Sequence, residues 1–235
     1  MDDWQLLLSQ RIVRASQQNG FIGAITKGPR GSGKSMYNLK TMALAHYLVD
    51  NCTETQAWTR ALHGFVFSPD ELIAKVEHNI DNDTIELCWC IDDAAVHFSS
   101  LLFFVNLYKS ALVTAMFDTI RTVVRALLVN CPEKKRLMRA LRNYDDYEMT
   151  VYKAPGNYNR RAVAIKWYSM PSGDRKFRKE FEDHFSCYVP KWIYEKYMEK
   201  RKRYLKEINI ELKRLKSKLE EQHSKRQMTE AINDL

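Results

Sequence analysis

The sequence has few cysteines, and none of them is arranged as a metal site or a disulfide framework. There are five, an odd number, and the nearest two, Cys88 and Cys90, lie inside an apolar run rather than in a CxxC or Cys/His ligand set. We therefore expect free, buried thiols and no structural metal. A disulfide stays open only if the source is a hyperthermophile, in which intracellular disulfides occur.

Long hydrophobic runs are also missing. The longest apolar cluster, residues 101–105, is far shorter than the roughly 20 residues that cross a bilayer. The N-terminal letters MDDW are acidic where a secretory signal would be basic. We expect a cytoplasmic protein without membrane contact. Its 235 residues, 45% of them hydrophobic, are enough for one core and an appendage.

The net charge of +8 is unevenly distributed. Residues 195–226 contain twelve lysines and arginines against six acidic residues, a surplus of six positive charges. One interpretation is the solvated face of a helix. The other is a surface for a polyanion such as nucleic acid, because clustered cations gain affinity by releasing counterions from phosphates.

Apolar runs and helical patterns alternate over the first 150 residues, which predicts an α/β fold with a mainly parallel sheet. The predicted helices cover 4–19 (with Gly20 as C-cap), 35–49, 55–63, 69–77, 98–125 and 134–142. The predicted strands cover 21–26, 65–67, 85–91 and 126–131. From residue 147, YEMTVYKA, PGNYN and RRAVAIKWYS predict an antiparallel hairpin.

A charged connection follows the hairpin, and a long helix starts near VPKWIY. Leu205, Ile208, Leu212, Leu215 and Leu219 are spaced by three and four residues in turn, as in a short coiled coil. We therefore divide the chain into a core with an N-terminal helix (1–146), a hairpin and connection completing the core (147–190) and a basic amphipathic helix (191–235).

Residues 28–35, GPRGSGKS, match the phosphate-loop pattern GxxxxGK[ST] between a predicted strand and a predicted helix. Glycines there permit close backbone approach, so that successive N–H groups and the helix N-terminus can face a phosphate. We expect Lys34 to bridge the β- and γ-phosphates and the hydroxyl of Ser35 to ligate Mg²⁺. The expected nucleotide-binding residues are Gly28, Pro29, Arg30, Gly31, Ser32, Gly33, Lys34, Ser35 and Met36.

An acidic pair closes the predicted strand ELCWCI. A carboxylate at the tip of a neighbouring strand is what the magnesium of a phosphate loop requires, and Asp92 occupies that place. Asp93, one residue further, is the expected general base or water-positioning group. Alternatively, the two residues cap the following segment.

With the phosphate loop and the acidic pair together, the chain resembles the P-loop ATPases whose catalytic acid follows the magnesium acid, a division that includes AAA-type proteins. The resemblance implies a sensor residue that helps to place the attacking water at the end of a further strand. Asn130, in LLVNCP, occupies this position. Alternatively, Asn130 only closes its strand into a turn at Pro132.

A narrower resemblance covers most of residues 4–205, through WQLLLSQRIV, NGFIGAITKGPRGSGKS, CIDDAA and VPKWIYEKYMEKRKRY. These segments are similar to the AAA-type ATPase of spindle-shaped viruses and plasmids of thermophilic archaea, a family likened to bacterial replication initiators. The resemblance implies ATP and Mg²⁺ as cofactors, DNA as a partner, homo-oligomers and the host cytoplasm.

AAA-type assemblies also use an arginine that reaches the nucleotide of a neighbouring subunit, from the helix after the sensor strand. Arg142 takes this place, with Arg139 and Arg121 as competitors, and a surface arginine is the alternative. The hairpin and the single long helix replace the usual helical lid of these proteins.

Two functions follow from this sequence. The first is an ATPase coupled to DNA in replication or maintenance of a viral or plasmid genome, in which Trp167 and Tyr168 stack on bases. These two aromatic residues could instead belong to a core or an interface. The second is an ATP-switched interaction module with slow turnover, in which the C-terminal helix binds a second copy or another protein.

Overall fold

The computed structural model describes residues 5–94, 107–144, 146–153 and 160–233. The chain forms two compact units, Met1–Ile193 and Tyr194–Leu235. The predicted division after residues 146 and 190 remains a prediction.

The helices and strands of the described residues follow one another in an alternating order. They are α1 (Leu7–Gln17), β1 (Ile22–Lys27), α2 (Lys34–Val49), α3 (Glu54–His63), β2 (Phe65–Val66), α4 (Pro69–Asp81), β3 (Glu86–Ile91), α5 (Leu107–Thr119), β4 (Val124–Asn130), α6 (Arg139–Arg142), β5 (Tyr147–Lys153), β6 (Arg160–Ser169), β7 (Arg175–Phe185) and α7 (Lys191–Asn233). Short 3-10 turns lie at Ile120–Thr122 and Lys134–Arg136.

The described strands form one seven-stranded sheet in the order β2-β3-β4-β1-β5-β6-β7. Strands β1 to β5 pair in parallel, and β6 and β7 extend the sheet by antiparallel pairing. The fold is therefore a P-loop NTPase core with a mainly parallel sheet, a hairpin and a long C-terminal helix. This confirms the predicted fold class.

Helices cover both faces of this sheet. On β3, Cys90 faces α2 and contacts Asn38, whereas Trp89 packs in the core on the opposite face with α4 and α5. Successive side chains of a strand point to opposite faces, so β3 is buried on both sides. This explains why its sequence is a continuous apolar run rather than an alternating one.

The prediction of a charged connection after the hairpin is wrong, because Arg175–Phe185 in this segment form the strand β7. It pairs with β6 along its whole length. Its aromatic residues, Phe177, Phe181 and Phe185, recur at every fourth position, so the sequence lacks the alternation that indicates a half-buried strand. β7 is the outermost strand of the sheet, and its first five residues, RKFRK, are exposed. Such charge is typical of an edge that resists pairing with other chains.

The predicted helix over 98–125 is wrong at its C-terminal end. α5 ends at Thr119, and β4 already begins at Val124, because the apolar run of this strand is longer than the predicted 126–131. Residues 95–106 lie outside the described residues.

The predicted helix over 134–142 is interrupted. Leu137 and Met138, between the 3-10 turn and α6, are extended and buried in the core. Their ψ values of 148° and 152° are those of extended backbone, so an α-helix cannot continue through these two residues.

The predicted C-cap of the first helix is also wrong. α1 ends at Gln17, and Asn19 rather than Gly20 adopts the left-handed conformation, with φ at 52°. Asparagine tolerates this conformation because its short polar side chain can bond locally.

Helix α7 confirms the predicted long C-terminal helix, which begins directly after Pro190. Of the predicted coiled-coil positions, Leu205 is exposed and Ile208 half-buried. The side chains of the other three positions lie outside the described residues. Among the described helices, none combines the length and apolar character needed to cross a bilayer.

Candidate functional site

The phosphate loop connects β1 to α2 through three glycines with positive φ. Gly28, Gly31 and Gly33 have φ values of 147°, 72° and 102°. A Cβ on Gly28 would lie 2.6 Å from the carbonyl oxygen of Val151, and one on Gly33 would lie 2.7 Å from Sγ of Cys187. Backbone strain therefore disfavours a side chain at all three positions, and lack of space also excludes one at Gly28 and Gly33. Without these side chains, an anion can approach the backbone closely.

Polar groups of the loop fit a phosphate ligand. The hydroxyl of Ser32 is buried and has no hydrogen-bond partner among the described residues. The Nζ of Lys34 donates to the carbonyl oxygens of Gly28 at 2.8 Å and Pro29 at 2.9 Å. Desolvation lowers the pKa of Lys34, and this effect outweighs the negative charges of Asp93 and Asp92, which raise it. A partly desolvated ammonium beside an orphaned hydroxyl favours an anionic ligand.

Parallel pairing brings the ends of β1, β3 and β4 to one edge of the sheet. Thr26 of β1 pairs with Asn130 of β4, and the neighbouring Val129 pairs with Ile91 of β3. Asp92 follows Ile91, so it lies at the level of Asn130 in the next strand. Asp92 is 1% exposed. The hydroxyl of Ser35, at the start of α2, donates to its Oδ1 at 2.9 Å. The two predicted metal ligands are thus in direct contact.

A buried hydrogen-bond chain continues from Asp92 across the sheet. Asn130 donates to Oδ1 of Asp92 at 2.8 Å, Asn38 donates to Oδ1 of Asn130 at 2.8 Å, and Thr26 donates to Oδ1 of Asn38 at 3.1 Å. Buried polar chains hold their members in one geometry, because a broken bond leaves an unpaired group in a low dielectric. Ser35, Asp92 and Asn130 are therefore rigidly placed.

Sequence reasoning missed Thr26 and Asn38. The sequence does contain a signal for Asn38: it is a polar residue in the otherwise mainly apolar helix α2, about one turn after Ser35. A fully buried asparagine needs partners for its amide. Thr26, inside a buried strand, had no comparable indication.

Asp93 adopts the left-handed conformation, with φ at 48°, directly after Asp92. Such a φ is uncommon for a residue other than glycine, and conformations of this kind cluster at functional sites. The charge of Asp93 acts on Lys34. Asp93 is thus near the phosphate loop.

The other predicted site residues differ in their distance from the cluster of Ser35, Asp92 and Asn130. Arg30 is exposed on the loop, and Met36 is buried at the start of α2. Arg142 makes no contact with the phosphate loop, Asp92 or Asn130 in the described part of the chain. It lies at the end of α6, with its Nε buried and unpaired. The structure therefore brings Ser35, Asp92 and Asn130 together and leaves Arg142 apart.

A second charged cluster, which sequence reasoning missed, adjoins the loop. Glu148 on β5 pairs with Lys27, the residue before Gly28, and with Lys134 at 3.4 Å. Its Oε2 also accepts a hydrogen bond from the indole Nε1 of Trp167 at 3.1 Å. Burial raises the pKa of Glu148, but the hydrogen bond and charge of Lys27, with Trp167 and Lys134, lower it overall.

We expect Glu148 to make folding dependent on pH. Because its pKa is lowered from the ordinary value of 4.5, its contribution to the unfolding free energy is present above that pH and is lost as the pH falls through the lower folded-state value. The Glu148→Gln variant should lose on the order of 1 to 3 kcal/mol at neutral pH and approach the wild type as the pH falls. Urea unfolding between neutral and acidic pH measures this difference. Glu133→Gln, at an exposed carboxylate, should show no comparable effect, and equal pH profiles for wild type and Glu148→Gln would contradict the assignment.

The chain is similar in sequence to a viral protein. It is 24% identical over 221 residues to "Uncharacterized protein B-251" of Sulfolobus spindle-shape virus 1, covering 90% of this chain and 85% of that protein. Among solved structures, it is similar to an ATPase domain, with a TM-score of 0.34, 8% identity, and coverage of 66% of this chain and 79% of the other. No protein-family model matches the chain. The chain therefore has a distant relative in a spindle-shaped virus.

Proposed function

We propose that this protein is a Mg²⁺-dependent ATP hydrolase coupled to DNA in the replication or maintenance of a viral or plasmid genome. The observation that carries the proposal is the partly buried hydrogen bond between Ser35 and Asp92, beside a loop of three positive-φ glycines. A hydroxyl and a carboxylate at this place are oxygen ligands of the kind that Mg²⁺ requires.

The residues of the site divide the chemical work. The backbone N–H groups of the loop, other than at Pro29, and the ammonium of Lys34 would hold the phosphates, and Ser35 and Asp92 would hold the metal. Bound Mg²⁺ supplies neutralisation of the developing phosphate charge. Asp93 orients the attacking water and accepts its proton. Asn130, fixed by Asp92 and Asn38, aids the placement of this water.

We also propose that the protein acts as a homo-oligomer, in line with its resemblance to AAA-type ATPases. Arg142 is half-buried at the end of α6, and its Nε has no partner in the described part of the protein. We propose that its guanidinium reaches the nucleotide of a second copy, where it would stabilise transition-state charge. Arg139 is exposed on the same short helix.

The link to DNA rests on charge and on the viral relative. The net charge of +8 includes the basic segment 195–226, which favours phosphate backbones. The similarity to a protein of a spindle-shaped virus supports a role on a viral or plasmid genome.

Hydrolysis measured with and without Mg²⁺ tests the proposal. We expect phosphate release from ATP only with the metal, and a faster rate when DNA is present. Addition of excess EDTA should stop the reaction. Absence of hydrolysis under all these conditions, or an equal rate without metal, would overturn the proposal.

The ATP-switched module is the second candidate, and the exposure of Leu205 on α7 favours it, because an exposed leucine at a predicted coiled-coil position is available to a partner. Mass measurement with and without ATP separates the two functions. A nucleotide-dependent ring supports the motor, whereas a dimer that is indifferent to nucleotide and dissociates on Leu212→Glu/Leu215→Glu supports the switch.

A further inference from the structure

A basic cavity of about 700 Å³ lies beside the phosphate loop, on the side of β5. Such a volume is in the range of known ligand sites, roughly 300 to 1,000 Å³. Two carboxylates, of Glu133 and Glu148, line it with six cationic residues. The cations are Lys27, Lys134, Lys135, Arg139, Arg142 and Arg175.

The two carboxylates of the cavity do not neutralise most of the positive charge of its six cationic residues. Glu148 is shared by Lys27 and Lys134, and Glu133 pairs with Arg136, which does not line the cavity. Among the described residues, no carboxylate lies within ion-pair distance of the remaining four cations. Like charges that converge without counter-charges favour a ligand with several phosphates.

An aromatic pair adjoins the same cavity. Trp167 on β6 and Phe177 on β7 are cross-strand partners, with ring centroids 5.3 Å apart. Phe177 is 63% exposed. The guanidinium of Arg175 lies 5.7 Å from the ring of Trp167 and also lines the cavity. A large exposed aromatic next to cations provides a surface on which an unpaired base can stack.

The strand register places these groups on one face. Glu148 is the partner of Ile165, and Ile165, Trp167 and Ser169 alternate along β6, so they point to the same side. Ser169 is in turn the partner of Arg175. The cations of the cavity and the stacking pair therefore form a continuous surface, which we call the basic-aromatic face.

We propose that the basic-aromatic face binds single-stranded DNA, with phosphates in the cavity and a base on the Trp167–Phe177 pair. This proposal rests on the proposed function and adds the site and the form of the DNA. A duplex keeps its bases stacked inside the helix, whereas a single strand can present them to aromatic side chains.

The same face is connected to the ATP site. Trp167 donates to Glu148, Glu148 pairs with Lys27, and Lys27 precedes Gly28, whose carbonyl oxygen accepts from Lys34. A strand that displaces Lys134 or moves Trp167 changes the partners of Glu148. Glu148 is thus a positioning residue between DNA and the phosphate loop, and bound strands should alter the rate of hydrolysis.

Fluorescence anisotropy of a labelled oligo-dT strand, measured with the full chain over a range of salt concentrations, tests the site. Lys135→Ala/Arg175→Ala should weaken binding about tenfold or more and reduce the salt slope by about 0.7 for each lost phosphate contact. Phe177→Ala should weaken binding about tenfold by loss of stacking. Neither variant removes a buried side chain, so both should fold and keep their DNA-free ATPase rate.

Other exposed residues provide matched controls. Arg14→Ala/Lys176→Ala removes the same charge from exposed positions outside the cavity, and Tyr188→Ala removes an aromatic that is 75% exposed. These controls should bind the strand as the wild type does. Equal weakening in controls and test variants, or none in either, would overturn the proposal, as would a duplex bound as tightly through the same residues.

The DNA-free ATPase rate separates this proposal from the proposed function. If the wild type hydrolyses ATP but the test variants bind DNA normally, only the assignment of the face fails. If the wild type does not hydrolyse ATP, the proposed function fails, and strand binding by the face is judged from anisotropy alone.

Discussion

Replacing Asp93 by asparagine is expected to leave ATP bound and to slow its hydrolysis by a factor of about 10² to 10⁴, the usual contribution of a general base. The amide can hydrogen-bond to water but cannot accept its proton. Ser35 and Asp92 remain in contact, so the expected metal ligands are unchanged. Asparagine also tolerates the φ of 48° at this position. Calorimetric titration and single-turnover hydrolysis measure the two effects separately.

A second aspartate provides the control. Asp83, in the exposed turn before β3, has a φ of 49°, almost the value of Asp93. Asp83→Asn makes the same chemical change in the same backbone conformation, away from the phosphate loop, and should hydrolyse ATP at the wild-type rate. An Asp93→Asn protein with the original rate would show that another group positions the water, and the role of Asp93 would be withdrawn.

Replacing Lys34 by alanine is expected to lower ATP affinity by about 10- to 100-fold, since a hydrogen bond to a charged group contributes about 1.5 to 3 kcal/mol. The ammonium is already partly desolvated, and burial lowers its pKa, so little further desolvation opposes its contact with phosphate. ATP should raise the unfolding temperature of the wild type, because a ligand of the native state stabilises it by mass action. At the same excess of ATP the variant should show a smaller increase, because each tenfold loss of affinity removes about 1.4 kcal/mol of this stabilisation.

Lys75→Ala is the matched control for that experiment. Lys75 is also a half-buried lysine, paired with Glu86 at 3.0 Å near the opposite end of β3. Its loss should lower the unfolding temperature without ATP but keep the increase that ATP produces. If Lys34→Ala shows the full increase, the phosphates do not bind at Lys34, and the assignment of residues 28–36 is wrong.

The position of Asn130 shows how far a sequence can predict a site. Its place after an apolar run indicated a polar group at the end of a strand. That β4 lies between β1 and β3 follows only from the sheet order. This order puts the amide 2.8 Å from Asp92 and in contact with Asn38, which lies 92 residues earlier in the chain.

The basic-aromatic face could not have been predicted in this form. Lys135, Arg175 and Trp167 come from three separate segments, and Arg175 lies on a strand that the sequence pattern did not indicate. Antiparallel pairing of β6 and β7 brings Phe177 against Trp167. A charged edge strand carries almost no periodic apolar pattern, so its partner strand, rather than its own sequence, determines its conformation.

By itself, the sequence determined the local features of this protein: the strand, glycine loop and helix of the phosphate loop, the acidic pair after β3, the hairpin and the long basic helix. Each depends on residues close together in the chain, through backbone conformation and apolar periodicity. The tertiary structure alone decided the hydrogen-bond chain from Thr26 to Asp92, the Glu148 cluster and the basic-aromatic face. These depend on which strands become neighbours, and that is set by burial of the whole sheet between helices rather than by any short segment.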